Sequence, residues 1–206
     1  MKTAYKLTDS KMKTHRGFQW ELGKWYETTG EGKLCSPSWL HFYSDPLVGM
    51  FMNPDHANIK NPRLFCAEVE GKFLNNHGLK CGYSRARLIE ELPVPQISFV
   101  QRVRFAILCA KKVYKGKEWN KWANNWLSGK DRTEKSIVIA KSAVIAVESA
   151  VQSTAKSAFC AIQSATRIAS AFCTDKSAKN AAKSAFFATK SKKIDLVKIA
   201  QKAMEE

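Results

Sequence analysis

Glycine and proline are missing from the last 77 residues of this 206-residue chain, Lys130 to Glu206. Their absence removes the two worst helix formers and excludes a tail built from tight turns. The chain has no CxxC pair among its six cysteines, and only four histidines. No apolar run approaches the ~18 residues of a membrane span, and the opening MKTAYKLTDSKMK lacks the apolar centre of a signal peptide. Neither secretion nor membrane insertion is expected from that pattern. There is no phosphate-cradling Gly-rich loop, no Ser-His-Asp or Cys-His arrangement at recognisable spacing, and no carboxylate pair beside a histidine. The sequence therefore names no catalytic residue, no metal and no cofactor, and an enzyme is not expected.

What the tail does contain is a beat. Ser136, Ser142, Ser149, Ser157, Ser164, Ser170, Ser177, Ser184 and Ser191 recur about every seven residues, and Ala follows seven of those nine. A recurrence near seven returns a small residue to one helix face every two turns, where two helix backbones can approach closely. Ala143, Ala150, Ala158, Ala165, Ala178 and Ala185 are expected in such a seam, with Lys141, Lys156 and Lys183 facing water. The rival is a β-solenoid, because Ser136–Val147 is rich in Val and Ile. Short solenoid coils need Gly, Asn or Asp at their corners, and only Asp131, Asp175, Asn180 and Asp195 are available after residue 130. Helix is the better account. A single helix of that length would exceed ~100 Å at about 1.5 Å per residue, so the tail folds back, with breaks expected at Thr174-Asp175 or Ser153-Thr154.

The first 95 residues follow a different grammar. They hold all six prolines and eight of the ten glycines, between short apolar runs. Strands are expected over Thr14–Trp20, Lys24–Thr28, Trp39–Tyr43, Leu64–Val69 and Ala86–Leu92, with turns at Thr29–Gly32 and Asn75–Gly78. Asp45–Met52 reads as a short helix opened by Pro46. After Pro93-Val-Pro95, Ser98 and Gln101 form a capping-box pattern before an apolar face of Val100, Val103, Ile107, Ala110 and Tyr114, with Gly116 as the stop. A second helix, Lys117 to Leu127, carries Trp119, Trp122 and Trp126 and ends at Gly129. The fold class is α+β: a small β-rich domain over 1–95, then an all-helical domain over 96–206. The second comprises a Trp-containing hairpin over 98–128 and Ala/Ser-rich helices over 133–206.

Composition bounds the partners. With 45% hydrophobic and 25% charged residues the chain is globular rather than disordered. Lys+Arg outnumber Asp+Glu by 34 to 18, a net +16, which favours nucleic acid or acidic protein partners. The excess is spread along the chain: residues 130–206 hold 14 basic and 7 acidic side chains, leaving +9 for residues 1–129. Arg102, Arg104, Lys111, Lys112, Lys115 and Lys117, with Trp119 and Trp122, are candidates for ion pairing and stacking on a nucleic acid or for a partner surface. The competing reading buries those tryptophans in the core. The cysteines read as reduced thiols of a cytosolic protein. Cys66, His77 and Cys81 could offer three zinc ligands, but Asn-Asn-His-Gly is a turn sequence and no fourth ligand follows.

Ala4-Tyr-Lys6, then His15-Arg-Gly-Phe-Gln-Trp-Glu-Leu-Gly-Lys-Trp-Tyr-Glu27, Leu34-Cys35, His41-Phe42 and Pro46-Leu47 together resemble an uncharacterised domain of bacteriophage and prophage proteins. That resemblance spans residues 4–92. It departs at Trp39-Leu40, where the family pattern has Gly-Phe, and at His15 and Tyr43, where the pattern has Cys. The segment from Val100 to Val113, the Trp126-Leu-Ser-Gly129 turn and the tail resemble helical modules that follow such domains in phage proteins, and also proteins described as immunity proteins. These resemblances imply a phage accessory protein in the host cytoplasm, with a host or phage protein as partner, nucleic acid as the alternative, and virion association as a further role. No membrane partner is expected, and oligomeric state is not implied. The order of elements in the first domain is also similar to the ADP-ribosyltransferase fold. That likeness implies a nucleotide pocket, for which Tyr5, Arg16, His41, Tyr43, Glu68 and Glu70 are the candidates.

Overall fold

The structure is a computed structural model and describes residues 2–14, 17–136, 156–169 and 175–205. The chain divides into two compact units, Met1–Gln96 and Ile97–Glu206. The first is an antiparallel sheet of five strands with one helix; the described part of the second is helical. The fold is α+β.

In the N-terminal unit the long strands β4 (Arg63–Asn75) and β5 (Cys81–Leu92) form the central hairpin. Its turn carries His77 and Gly78 at φ 51° and 80°, and the Asn75 side chain accepts from the Gly78 amide at 2.9 Å. Strand β1 (Lys2–Thr8) pairs with β4, while β2 (Tyr26–Glu27) and β3 (Leu40–Phe42) pair with β5. Tyr43, just past β3, exchanges two backbone hydrogen bonds with Tyr5 of β1, at 2.8 and 2.9 Å. The pairings β1–β4–β5–β3 thus return to β1 as a small ring. Strand alternation turns Phe65, Ala67 and Val69 of β4 and Ala86 and Leu88 of β5 to its inner face, and Cys81, beyond the register shift between Glu70 and Phe73, joins them in packing with Trp20, Leu40 and Phe42. Helix α1 (Pro46–His56) packs against β1 and buries Val48, Phe51 and Met52. It starts where the sequence indicates: Pro46 occupies the first turn, and the Asp45 carboxylate accepts from the Val48 amide at 3.0 Å.

One expected strand is corrected, and one strand was not expected. No strand forms in the described part of Thr14–Trp20. Gly17, at φ 75°, donates to the Thr14 carbonyl and turns the chain back, leaving one bridge between Lys13 and Gln19. Strand β1 is a seven-residue strand that the sequence did not announce, since Lys2 and Lys6 interrupt its apolar alternation.

In the helical unit, α2 (Phe99–Val113) starts at the expected capping box. Ser98 Oγ accepts from the Gln101 amide at 3.2 Å, and the Gln101 side chain accepts from the Ser98 amide at 2.8 Å. Tyr114 caps its far end. Gly116 begins α3 (Lys117–Leu127) instead of stopping α2, with backbone φ −59°. Helix α2 packs against α4 (Lys156–Ala169), α5 (Asp175–Ser191) and α6 (Leu196–Met204), while Asp195 caps α6 through the Lys198 amide at 3.1 Å. Small residues make these contacts: Ala106 and Ala110 of α2, Ala161 and Ala165 of α4, and Ala181, Ala182, Ala185 and Ala188 of α5 are buried. Ser184 Oγ lies within hydrogen-bond distance of two backbone carbonyls, Ala106 of α2 at 2.9 Å and Ala161 of α4 at 3.0 Å, and shares its single proton between them. Lys183 is half-buried rather than free in water, because Ala182 and Ser184 on either side of it are fully enclosed. Ala143, Ala150, Lys141 and the Ser153-Thr154 break lie outside the described residues. The side chains of Lys156, Ala158 and Ala178 lie outside the described side chains.

Candidate ligand cavity

A cation lies on the inner face of the strand ring. Lys6 lies opposite Phe65 in the β1–β4 register, so alternation points it inward with Ala4. Its side chain is 8% exposed. Nζ donates to the His41 carbonyl at 2.6 Å and sits 5.0 Å from the ring centres of both Trp20 and Phe42. Burial pulls its pKa from the ordinary lysine value to about 7; Cys81 opposes that shift and Lys80 adds to it. Cys81 donates weakly to the Phe42 carbonyl at 3.5 Å, and burial pushes its thiol up to about 12, with Lys6 opposing. At neutral pH the thiol is uncharged, so it gives the Lys6 ammonium no ion pair.

Lys6 lines a cavity of about 550 Å³ within this unit, whose walls include Ser36, Trp39, His41, Tyr43 and His56. His41 Nε2 donates to the Leu34 carbonyl. Tyr43 and His56 stack with ring centres 5.9 Å apart and hydrogen bond at 3.3 Å between the phenol and Nδ1. Burial lowers the His56 pKa to about 4, helped by Lys80 and His41, so the ring is neutral at pH 7. Burial raises the Tyr43 pKa, keeping the phenol protonated. The Ser36 hydroxyl is buried with no hydrogen-bond partner among the described residues. No Asp or Glu lines the cavity among the described residues.

The expected pocket residues separate. His41 and Tyr43 line the cavity. Tyr5 contributes its backbone to the bridge that closes the strand ring, and Arg16 lies outside the described residues. Glu68 and Glu70 alternate with the inward Ala67 and Val69, so they lie on the outer face. There Glu68 pairs with Arg87 at 2.7 Å, while Arg85 joins Glu70 to Glu27, and both arginines stack on Trp25. Lys6, Ser36 and His56 were not singled out from the sequence. The signal for Lys6 was the lone cation between Ala4 and Leu7, both of which turn out buried.

In the helical unit, Trp119 and Trp122 are buried, with ring centres 5.7 Å apart, and the Trp119 indole donates to Thr166 Oγ1 at 3.1 Å. Arg104 donates to the Leu127 carbonyl at 3.0 Å and the Lys202 carbonyl at 3.5 Å. Lys111 donates to Asn124 Oδ1, and Arg102 is half-buried. Lys112, Lys115 and Lys117 are exposed.

Residues 2–99 match a family model described as a domain of unknown function (DUF7666). No curated protein and no solved structure matches the chain. No described helix is long and apolar enough to cross a membrane.

Proposed function

We propose that this chain is a non-enzymatic accessory protein of bacteriophage origin that binds a host or phage protein in the cytoplasm of the infected cell. The Ala4-Tyr-Lys6 to Pro46-Leu47 pattern supports the phage origin, and it lies within the matched span of residues 2–99. The single observation that carries binding is that four large apolar side chains of the N-terminal unit, Phe18, Leu22, Phe73 and Leu74, are 36–57% exposed. The resemblance of the helical unit to immunity proteins favours a protein partner. Nucleic acid is the second reading. It rests on the +16 charge and on exposed Lys112, Lys115 and Lys117, acting through phosphate contacts without the buried tryptophans.

A pull-down from host lysate with the tagged full chain, with and without nuclease, tests both. A specific protein retained after nuclease is expected. Recovery of nucleic acid that is lost at high salt would favour the second reading. Recovery of nothing, with the chain a stoichiometric part of purified particles, would replace both with a structural role in the virion.

A further inference from the structure

We propose that the cavity of the N-terminal unit binds a small organic anion with a flat ring, its anionic group against Lys6 Nζ and its ring against the aromatic wall. This inference does not depend on the macromolecular partner proposed above.

A buried ammonium is normally neutralised by a carboxylate, because desolvation is costly and must be offset. Lys6 instead has one backbone carbonyl and two ring faces. Ring faces and carbonyls attract a cation but cancel no charge. The groups around it supply no anion at neutral pH. Cys81 of β5 is a thiol, His41 beside it in β3 already donates to Leu34, Tyr43 and His56 are uncharged, and Lys80 adds positive charge. An arriving carboxylate or phosphate would supply the missing charge. The Ser36 hydroxyl, buried and without a partner on the same cavity, offers a further hydrogen bond. The volume of about 550 Å³ suits a small organic molecule, and the walls of Trp39, Phe42 and Tyr43 suit a planar one.

The linkage has a definite sign. An anion binds the protonated amine, whose pKa in the free protein is about 7. Affinity is then full below that value and falls about tenfold per pH unit above it, until the raised pKa of the complex is reached.

The test is calorimetric titration of the full chain. Adenosine monophosphate and indole-3-acetate serve as ringed anions, adenosine and indole as neutral counterparts, inorganic phosphate and acetate as ringless anions. At least one ringed anion is expected to bind ten or more times tighter than its neutral counterpart and its ringless anion. Its affinity should fall at least tenfold between pH 6.5 and 8.5, and Lys6→Met should lose that binding and its pH dependence. In the wild-type chain, isotope-labelled reductive methylation read by NMR should show one lysine ε-amine titrating near pH 7 that the bound anion shifts upward, set apart by its chemical shift from the α-amine, which ordinarily titrates at about 8; this readout survives even if the variant does not fold. Equal binding of the neutral counterparts, unchanged binding by a folded Lys6→Met, no lysine ε-amine titrating below pH 9, or failure of both ringed anions to bind at millimolar concentration would each overturn the assignment.

Discussion

The two units bury polar groups in opposite ways. Ser184 sits at the centre of the helical unit, fully enclosed, and its hydroxyl bridges carbonyls from two neighbouring helices. Lys6 sits inside the strand ring, also enclosed, with no carboxylate among the described residues to answer its charge and a cavity beside it. The first arrangement fixes how helices meet and needs nothing from outside. The second is stabilising only when a ligand completes it. Buried polar groups therefore have to be judged by what answers them, since burial alone is common to both.

Replacing Trp119 with Ala should have the largest effect on the helical unit. It removes a 1% exposed indole together with its bond to Thr166, and a loss of about 3–5 kcal/mol is expected in the unfolding transition followed by circular dichroism. A loss below ~1 kcal/mol would mean that the tryptophan is not core. Ala185→Leu should overpack the small-residue contact by roughly 1–3 kcal/mol, read as a lower melting temperature. An unchanged melting temperature would place the seam elsewhere. Ser184→Ala should cost only about 1 kcal/mol, because each carbonyl it serves belongs to a helix backbone. A neutral result would mean that the bridging hydroxyl adds no net stability to the packing.

Much of the frame was legible in the sequence. Ser98 and Gln101 marked the start of α2, the tryptophan spacing marked α3, and Pro46 behind Asp45 marked α1. Each of these signals is local, fixed by residues within one or two helical turns. The site was less legible because it is assembled at long range. The fold likeness put His41 and Tyr43 among the candidates, but what they face is set by the Tyr5–Tyr43 bridge that closes the ring. Lys6 was hidden because a lysine in a short N-terminal run reads as solvent-facing. Only the β1–β4 register turns it inward. Glu68 and Glu70 entered the expected pocket only through the likeness to the ADP-ribosyltransferase fold, whereas strand alternation puts them outside with Arg87 and Arg85.

The most direct test of the unanswered cation is the pH dependence of stability of the wild-type chain against Lys6→Met. An unfolded lysine titrates near 10.5 and this one near 7, so between those values the unfolded chain binds more protons than the folded one. Wild-type stability attributable to Lys6 should rise as pH goes from 7 toward 10.5, and that contribution should be flat below 7. At pH 7 the variant should be the more stable protein, by on the order of 4 kcal/mol, and the gap should close as the pH approaches 10.5. A variant that is less stable at pH 7, with a difference from wild type that does not change with pH, would contradict the account.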